Sequence, residues 1–129
     1  QDFYATLAEA AGHRTADLPK HDGQNLGPLL NDPKQRLTRR TLYWHYPHYY
    51  PRMTPASAVR DGDWKLIHYY EDDRLELFNL EDDPGETSNL ATAMPARTQA
   101  LQAKLNTWRQ ETDAKAPRAN PDWKPRSFQ

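Results

Sequence analysis

Apolar positions recur with helical spacing at the amino terminus of the chain. In "DFYATLAEAAG", Phe3, Leu7 and either Ala10 or Ala11 lie on one face of a helix. Gly12 follows, and a residue free to take a positive φ is typical of a helix end. The pattern predicts a short amphipathic helix that ends at Gly12.

A second helical pattern runs along the carboxyl-terminal third of the chain. One apolar stripe joins four positions spaced seven, four and three residues apart: Met94, Leu101, Leu105 and Trp108. Arg109 lies largely outside this stripe. The spacing predicts a long helix that is capped by Asn89 or Thr92 and ends at about Thr112.

Between these helices, three stretches are rich in β-branched and aromatic residues, at 41–47, 57–70 and 74–80. The turn signal Asp61-Gly62 divides the second stretch into a hairpin, and residues 71–73 turn the chain again. Neither face of the resulting strands is purely polar, so we expect the long helix to cover one face and another body the second. The prediction is an α+β fold with a four-stranded antiparallel sheet and the long helix packed across it.

Turn-forming residues fill most of the remaining sequence. Residues 13–40 are mostly a connection, with one helical turn around Leu29. Pro84-Gly85 predicts a type II turn in which Gly85 takes a positive φ. After Ala116 the regularly spaced prolines favour an extended strap, with Trp123 as its anchor.

Composition limits the classes of function. The 129 residues are 36% hydrophobic with a mean hydropathy of -1.07, which indicates a small core that leans on a partner. The net charge of -1 provides no basic stripe for nucleic acid. The chain has no cysteine, no signal-peptide pattern and no apolar run of about 18 residues that would span a membrane. It begins without methionine in a helical pattern, so we expect a cut inside a longer protein.

The stretch "TLYWHYPHYYPRM" at 41–53 concentrates groups that can carry chemistry. Its histidines and tyrosines are compatible with an active-site surface, a metal site or an aromatic core. Pro47 predicts the end of the strand and a loop after it, the usual location of ligand contacts. For Tyr43, Trp44 and Tyr46 the strand pattern favours packing. A zinc site would need a third ligand that the sequence does not supply nearby.

Several motifs resemble one enzyme family. "DFYATLAEAAG" and "DGQNLGPLL" resemble the sulfatase elements D-L/F-Y-P-T-L-x-x-x-A-G and D-G-x-S-L-x-P-L-L. "AVRDGDWKLIHYYEDDRLELFNLEDDPGETSNLA" resembles a longer and more specific sulfatase pattern, with order and gaps intact. "LYWHYPHY" and "NPDW" also look like bacterial members. The chain thus resembles the carboxyl-terminal part of a type I, formylglycine-dependent sulfatase of the arylsulfatase and alkaline-phosphatase-like superfamily.

The resemblance implies a division of the chain and of the chemistry. Residues 1–40 would end the large α/β domain and connect it, 41–116 would form the carboxyl-terminal subdomain, and 117–129 an extended proline-rich tail. In the family, formylglycine arises from a C/S-x-P/A-x-R motif that this sequence lacks, and calcium is held upstream. We therefore expect no catalytic or metal residue here, formylglycine and calcium in the amino-terminal domain, and no activity from this chain alone.

The resemblance also implies partners and a location. The amino-terminal sulfatase domain of the same protein is the expected partner, and the full-length enzyme is expected in the periplasm or outside the cell. The expected substrate is a sulfated saccharide, whose hydroxyl, C–H and anionic groups suit the side chains of five candidate contacts: His45, His48, Tyr49, Tyr50 and Arg52.

Other interpretations of the chain and of its charged residues stay open. The chain is alternatively a stand-alone carbohydrate-binding module or a purely structural one. The acidic pairs at 72–73 and 82–83 are interpreted as solvated turn formers, and Lys65 as a structural residue.

Overall fold

The computed structural model describes residues 2–37, 41–51, 53–118 and 120–122. The chain divides into two units, 1–40 and 41–129. None of the described helices combines the length and the apolar composition that a membrane span requires. The predicted anchor Trp123 lies outside the described residues.

The first unit contains two short helices. Helix α1 spans Asp2–Ala10, a 3-10 turn spans Thr15–Asp17, and helix α2 spans Gly27–Asn31. Gly12 has a φ of 90°, and the backbone N–H of the next residue, His13, donates to the carbonyl of Ala8 at 3.0 Å. The predicted glycine end of α1 is therefore confirmed.

Polar side chains of α1 hold the following segment. The Asp2 carboxylate accepts the backbone N–H of Gln24 at 2.9 Å, and the Thr6 hydroxyl accepts that of Leu26 at 2.9 Å. The apolar face of α1 points elsewhere, because Phe3 and Leu7 are largely exposed. The amphipathic pattern therefore presents an uncovered apolar surface.

The second unit is a meander of four antiparallel strands and one long helix. The strands are β1 (Thr41–Tyr46), β2 (Ala56–Asp61), β3 (Trp64–Tyr69) and β4 (Leu75–Asn79), paired in that order. Helix α3 spans Pro95–Glu111. The predicted α+β architecture is confirmed.

The β2–β3 hairpin has a two-residue loop, Gly62-Asp63. Asp61 pairs with Trp64, and Gly62 has a φ of 63°, as a glycine at the first loop position permits. The turn therefore lies one residue later than the predicted Asp61-Gly62.

The core lies between the sheet and α3. Three strand residues and two helix residues are buried together: Val59, Leu66, Leu77, Leu101 and Leu105. Burying each leucine contributes about 1.5–3 kcal/mol to folding. Tyr43 extends this core by stacking on Trp108 with ring centroids 4.9 Å apart. The predicted apolar stripe of α3 is confirmed as its sheet-facing side.

The predicted cap of α3 is wrong. Met94 occupies the N-cap position, and no described side chain caps this helix end. Asn89 instead accepts the backbone N–H of Leu77 at 3.0 Å and donates to the Leu75 carbonyl at 3.3 Å. The Asn89 side chain, which the sequence predicts as a helix cap, is instead bonded to the outer edge of β4.

The predicted conformation of the Pro84-Gly85 turn is also wrong. Gly85 does not have a positive φ, whereas Glu86 has a φ of 54°. The Asp83 carboxylate accepts the backbone N–H groups of Thr87 at 2.8 Å and Ser88 at 2.9 Å. These bonds turn the backbone of residues 87–88 toward Asp83, and Glu86 rather than Gly85 adopts the left-handed conformation. They also lower the pKa of Asp83 below its ordinary value.

Candidate functional site

The aromatic stretch divides at the end of β1. The strand ends at Tyr46, and its side chains alternate between the two faces of the sheet. Tyr43 and His45 face α3, whereas Trp44 and Tyr46 face the opposite side. Residues 47–51 and 53–55 then form a connection to β2, here called the aromatic loop.

His45 is bonded through both ring nitrogens. Its Nδ1 lies 2.7 Å from the Ser57 hydroxyl and 3.1 Å from the Tyr70 hydroxyl, and its Nε2 lies 3.0 Å from the Lys115 carbonyl. Because a carbonyl only accepts, Nε2 carries the proton and Nδ1 accepts from a hydroxyl. His45 is thus engaged inside the unit.

Arg109 continues this polar network beneath α3. Its guanidinium donates to the Tyr70 hydroxyl at 3.1 Å and to His68 Nδ1 at 2.9 Å. His68 Nε2 in turn contacts the Asp73 carboxylate at 2.5 Å. Ser57 and His68 are buried, so their polar atoms need partners within the protein. We call these residues, with His45, the sub-helix network.

The sequence predicts only some of the residues of this network. Alternation places His68 and Tyr70 on the same side of β3 as Leu66, which marks them as helix-facing. Arg109, however, lies largely outside the apolar stripe, so the helical pattern does not predict its contacts with the sheet. Its partners became visible only with the register of α3 on the sheet.

The aromatic loop presents its side chains outward. Tyr49 and Tyr50 are 69% and 64% exposed, and His48 is exposed beside the ring of Tyr46 at 5.6 Å between centroids. The Tyr49 hydroxyl donates to the Glu71 carboxylate at 2.8 Å, and this hydrogen bond raises the pKa of Tyr49. The structure therefore brings His48, Tyr49 and Tyr50 together on one exposed loop. Arg52 lies outside the described residues.

The face of the sheet opposite α3 is concave and partly apolar. It borders an open cavity of about 790 Å³, and apolar side chains form much of the lining: Trp44, Tyr46, Met53, Ile67, Tyr69 and Leu80. Trp44 is 50% exposed and Tyr46 40% exposed. The prediction that these two residues pack within the chain is therefore wrong, because strand alternation directs them away from α3. Tyr43 does pack.

Two charged residues of the long motif, Lys65 and Arg60, have partners within the unit. Lys65 forms an ion pair with Glu86 at 2.7 Å, and Arg60 Nε donates to the Gly62 carbonyl at 2.8 Å. The ion pair joins β3 to the turn that follows β4. Lys65 is thus engaged in holding that turn.

The described residues do not fit a metal ion. No three carboxylate or imidazole groups among them converge on one point. The acidic turn residues are engaged individually: Asp72 with Arg74, Asp73 with His68 and Asp83 with backbone amides. No reaction step is assigned to calcium or zinc in this part of the protein.

Fold and site together define a small α+β module with an outward-facing aromatic loop and a concave sheet face that is partly uncovered. Residues 1–114 match the family described as N-sulphoglucosamine sulphohydrolase, C-terminal, and the chain belongs to this family. The resemblance to sulfatases inferred from the motifs is confirmed. A match to the carboxyl-terminal part of larger sulfatases is consistent with catalytic residues that lie elsewhere.

Curated relatives are similar over most of this chain. A sulfatase of Formosa agariphila is 38% identical over 115 residues, which cover 81% of this chain and 21% of the relative. A Delta 4,5-hexuronate-2-O-sulfatase of Bacteroides thetaiotaomicron is 35% identical over 92 residues, which cover 70% of this chain and 18% of the relative. The chain therefore spans about a fifth of the length of these relatives.

Solved structures share the fold. A 2-O GAG sulfatase aligns with a TM-score of 0.72 and 27% identity, covering 88% of this chain and 25% of that protein. A second protein, in complex with its substrate D-glucosamine-2-N,6-O-disulfate, aligns with a TM-score of 0.69 and 27% identity over 88% of this chain and 24% of its own. The module thus occurs in proteins several times longer.

Proposed function

We propose that this chain is the carboxyl-terminal part of a type I sulfatase that hydrolyses sulfate esters of sulfated carbohydrates. In this proposal the chain completes the fold and walls the substrate pocket. The nucleophilic formylglycine and the calcium lie in the amino-terminal domain. The observation that carries the proposal is the family match over residues 1–114.

The proposed partner is the amino-terminal domain of the same protein. Two sets of exposed apolar side chains support it: Trp44 and Tyr46 on the concave sheet face, and Phe3 and Leu7 of α1. Residues 1–40 would end the large domain and connect it, 41–116 would form the subdomain, and 117–129 the tail. By family resemblance, the full-length enzyme would be periplasmic or secreted.

The proposed sugar contacts lie on the aromatic loop. Exposed aromatic faces stack on the C–H surfaces of a sugar, and imidazole and phenol groups exchange hydrogen bonds with its hydroxyls. His48, Tyr49 and Tyr50 offer these groups to solvent. Arg52 would pair with a second sulfate or a carboxylate. His45 is the fifth proposed contact, although the occupied ring nitrogens favour a supporting role for it.

The test is to replace His45 and His48 singly by alanine in the full-length enzyme. Turnover of a sulfated saccharide and of a small aryl sulfate is then measured beside the melting temperature. For His48→Ala we expect loss of saccharide turnover, with aryl sulfate turnover and melting temperature retained. Exposed Glu81, in the turn after β4, provides the control variant Glu81→Ala.

The alternative functions give different results. Parallel loss of both activities with melting temperature in the His48 variant would indicate a purely structural module. Saccharide binding by the isolated chain would indicate a stand-alone binding module. For the isolated chain we expect no sulfatase turnover at any calcium concentration, and turnover by pure material would contradict the proposal.

A further inference from the structure

Tyr70, which directly follows β3, contacts residues on both sides of the aromatic loop. Before the loop, the Tyr70 hydroxyl lies 3.1 Å from Nδ1 of His45 in β1. At the end of the loop, the backbone N–H of Tyr70 donates to the carbonyl of Pro55 at 3.0 Å. Pro55 is fully buried, so this end of the loop is fixed in the protein interior.

The next residue, Glu71, holds the middle of the loop. Its carboxylate accepts the Tyr49 hydroxyl at 2.8 Å. A hydrogen bond to an ionised group is stronger than one between neutral groups. Tyr50 and Met53 also exchange two backbone hydrogen bonds, at 3.1 and 2.9 Å, which closes the loop on itself. The hydrogen bond to Glu71 therefore restrains the Tyr49 side chain, while the two backbone hydrogen bonds restrain the loop backbone.

Tyr70 is itself held firmly. Its hydroxyl lies 2.7 Å from Ser57 Oγ and accepts from Arg109 at 3.1 Å. The turn that follows β3 is closed by a backbone hydrogen bond from Tyr69 to Arg74 at 2.9 Å. The anchor of the loop is thus connected to β2, β3 and α3, the rigid elements of the unit.

We propose that Tyr70 and Glu71 are positioning residues that fix the aromatic loop in the shape that receives a sulfated saccharide. The inference rests on the proposed function and extends it to residues that touch no substrate. A loop that is ordered before binding loses less conformational entropy when the sugar arrives. The loop thus acts as a preformed wall of the pocket, and selectivity for the saccharide depends on a carboxylate on a neighbouring turn.

The test uses two substitutions of Glu71 in the full-length enzyme. Glu71→Ala removes the hydrogen bond, whereas Glu71→Gln keeps an acceptor oxygen and serves as the conservative rescue. Glu81→Ala is the control, since Glu81 is an exposed glutamate in another turn of the same sheet. Loop order is measured as the rate of chymotryptic cleavage between residues 49 and 50, identified by mass spectrometry. Saccharide KM and aryl sulfate kcat are measured in parallel.

We expect Glu71→Ala to raise both the cleavage rate and the saccharide KM about three- to tenfold, the range that one net hydrogen bond provides. In Glu71→Ala, aryl sulfate kcat and melting temperature should stay at parental values, and Glu71→Gln should bring the cleavage rate and the saccharide KM most of the way back to those of the parent. Unchanged cleavage in Glu71→Ala would overturn the positioning role, whatever the activity. Faster cleavage with an unchanged saccharide KM would show that Glu71 restrains the loop, but it would overturn the proposal that this restraint aids saccharide binding. A full-length protein without sulfatase turnover would refute the proposed function, while cleavage would still test the restraint.

Discussion

Replacing His45 by alanine tests whether the sub-helix network stabilises the second unit. The substitution removes the ring that joins Ser57 to the Lys115 carbonyl, at 2.7 and 3.0 Å. Ser57 and Tyr70 stay bonded to each other at 2.7 Å, so the variant leaves few orphaned groups. The structural loss is confined to the imidazole and its contacts.

The magnitude follows from these contacts. Each net hydrogen bond stabilises by about 1 kcal/mol, and the imidazole makes two of them. The ring also packs edge-on against Trp108, with centroids 6.4 Å apart. We expect His45→Ala to lower the free energy of unfolding by about 2–3 kcal/mol. His48→Ala, an exposed histidine three residues later, should change it by less than about 0.5 kcal/mol.

Urea denaturation of the chain, followed by tryptophan fluorescence, measures both values, and Trp108, one of the four tryptophans, lies at the altered contact. Equal denaturant slopes in the variants would show that the midpoint shift reflects stability. A His45→Ala midpoint that matches the parent, or equal shifts in the two variants, would refute the assignment of His45 to the network.

Three further predictions concern the core, the acidic turn and the partly buried ion pair. Leu105→Ala should cost about 2–5 kcal/mol of unfolding free energy, because Leu105 is fully buried; exposed Leu30→Ala, as its control, should cost almost nothing. Folding lowers the pKa of Asp83, so the contribution of this carboxylate to stability is present above its unfolded pKa of about 4 and is lost as pH falls through the lower folded pKa. Asp83→Asn should therefore flatten the acid side of a plot of melting temperature against pH. An unchanged slope would contradict this prediction. A double-mutant cycle on Lys65 and Glu86 should give a coupling of about 1 kcal/mol, and additive single variants would show that the pair contributes nothing.

Local signals were sufficient for the architecture. Strand alternation, the glycine at position 62 and the stripe of α3 each act over a few residues, so the sheet and its helix follow from the sequence. The position of the aromatic loop followed in the same way from Pro47. Its substrate contacts stay a prediction.

Features that depend on distant partners were not predictable. Asn89 is a good helix cap by type, but the unpaired edge of β4 competes for the same amide. Glu71 reaches Tyr49 across 22 residues, and Arg109 reaches His68 across 41. A sequence pattern does not predict such long-range pairs, because they depend on the register of the helix and the strands.

The amide of Asn89 has a consequence for how the protein avoids self-association. Exposed strand edges recruit further strands from other molecules. On the outer side of β4, the Asn89 side chain occupies the Leu77 N–H and the Leu75 carbonyl, and the backbone N–H of Leu90 occupies the Leu77 carbonyl at 2.8 Å. These backbone groups of β4 are therefore not available to pair with a further strand. Asn89 and Leu90 thus oppose growth of the sheet on this side.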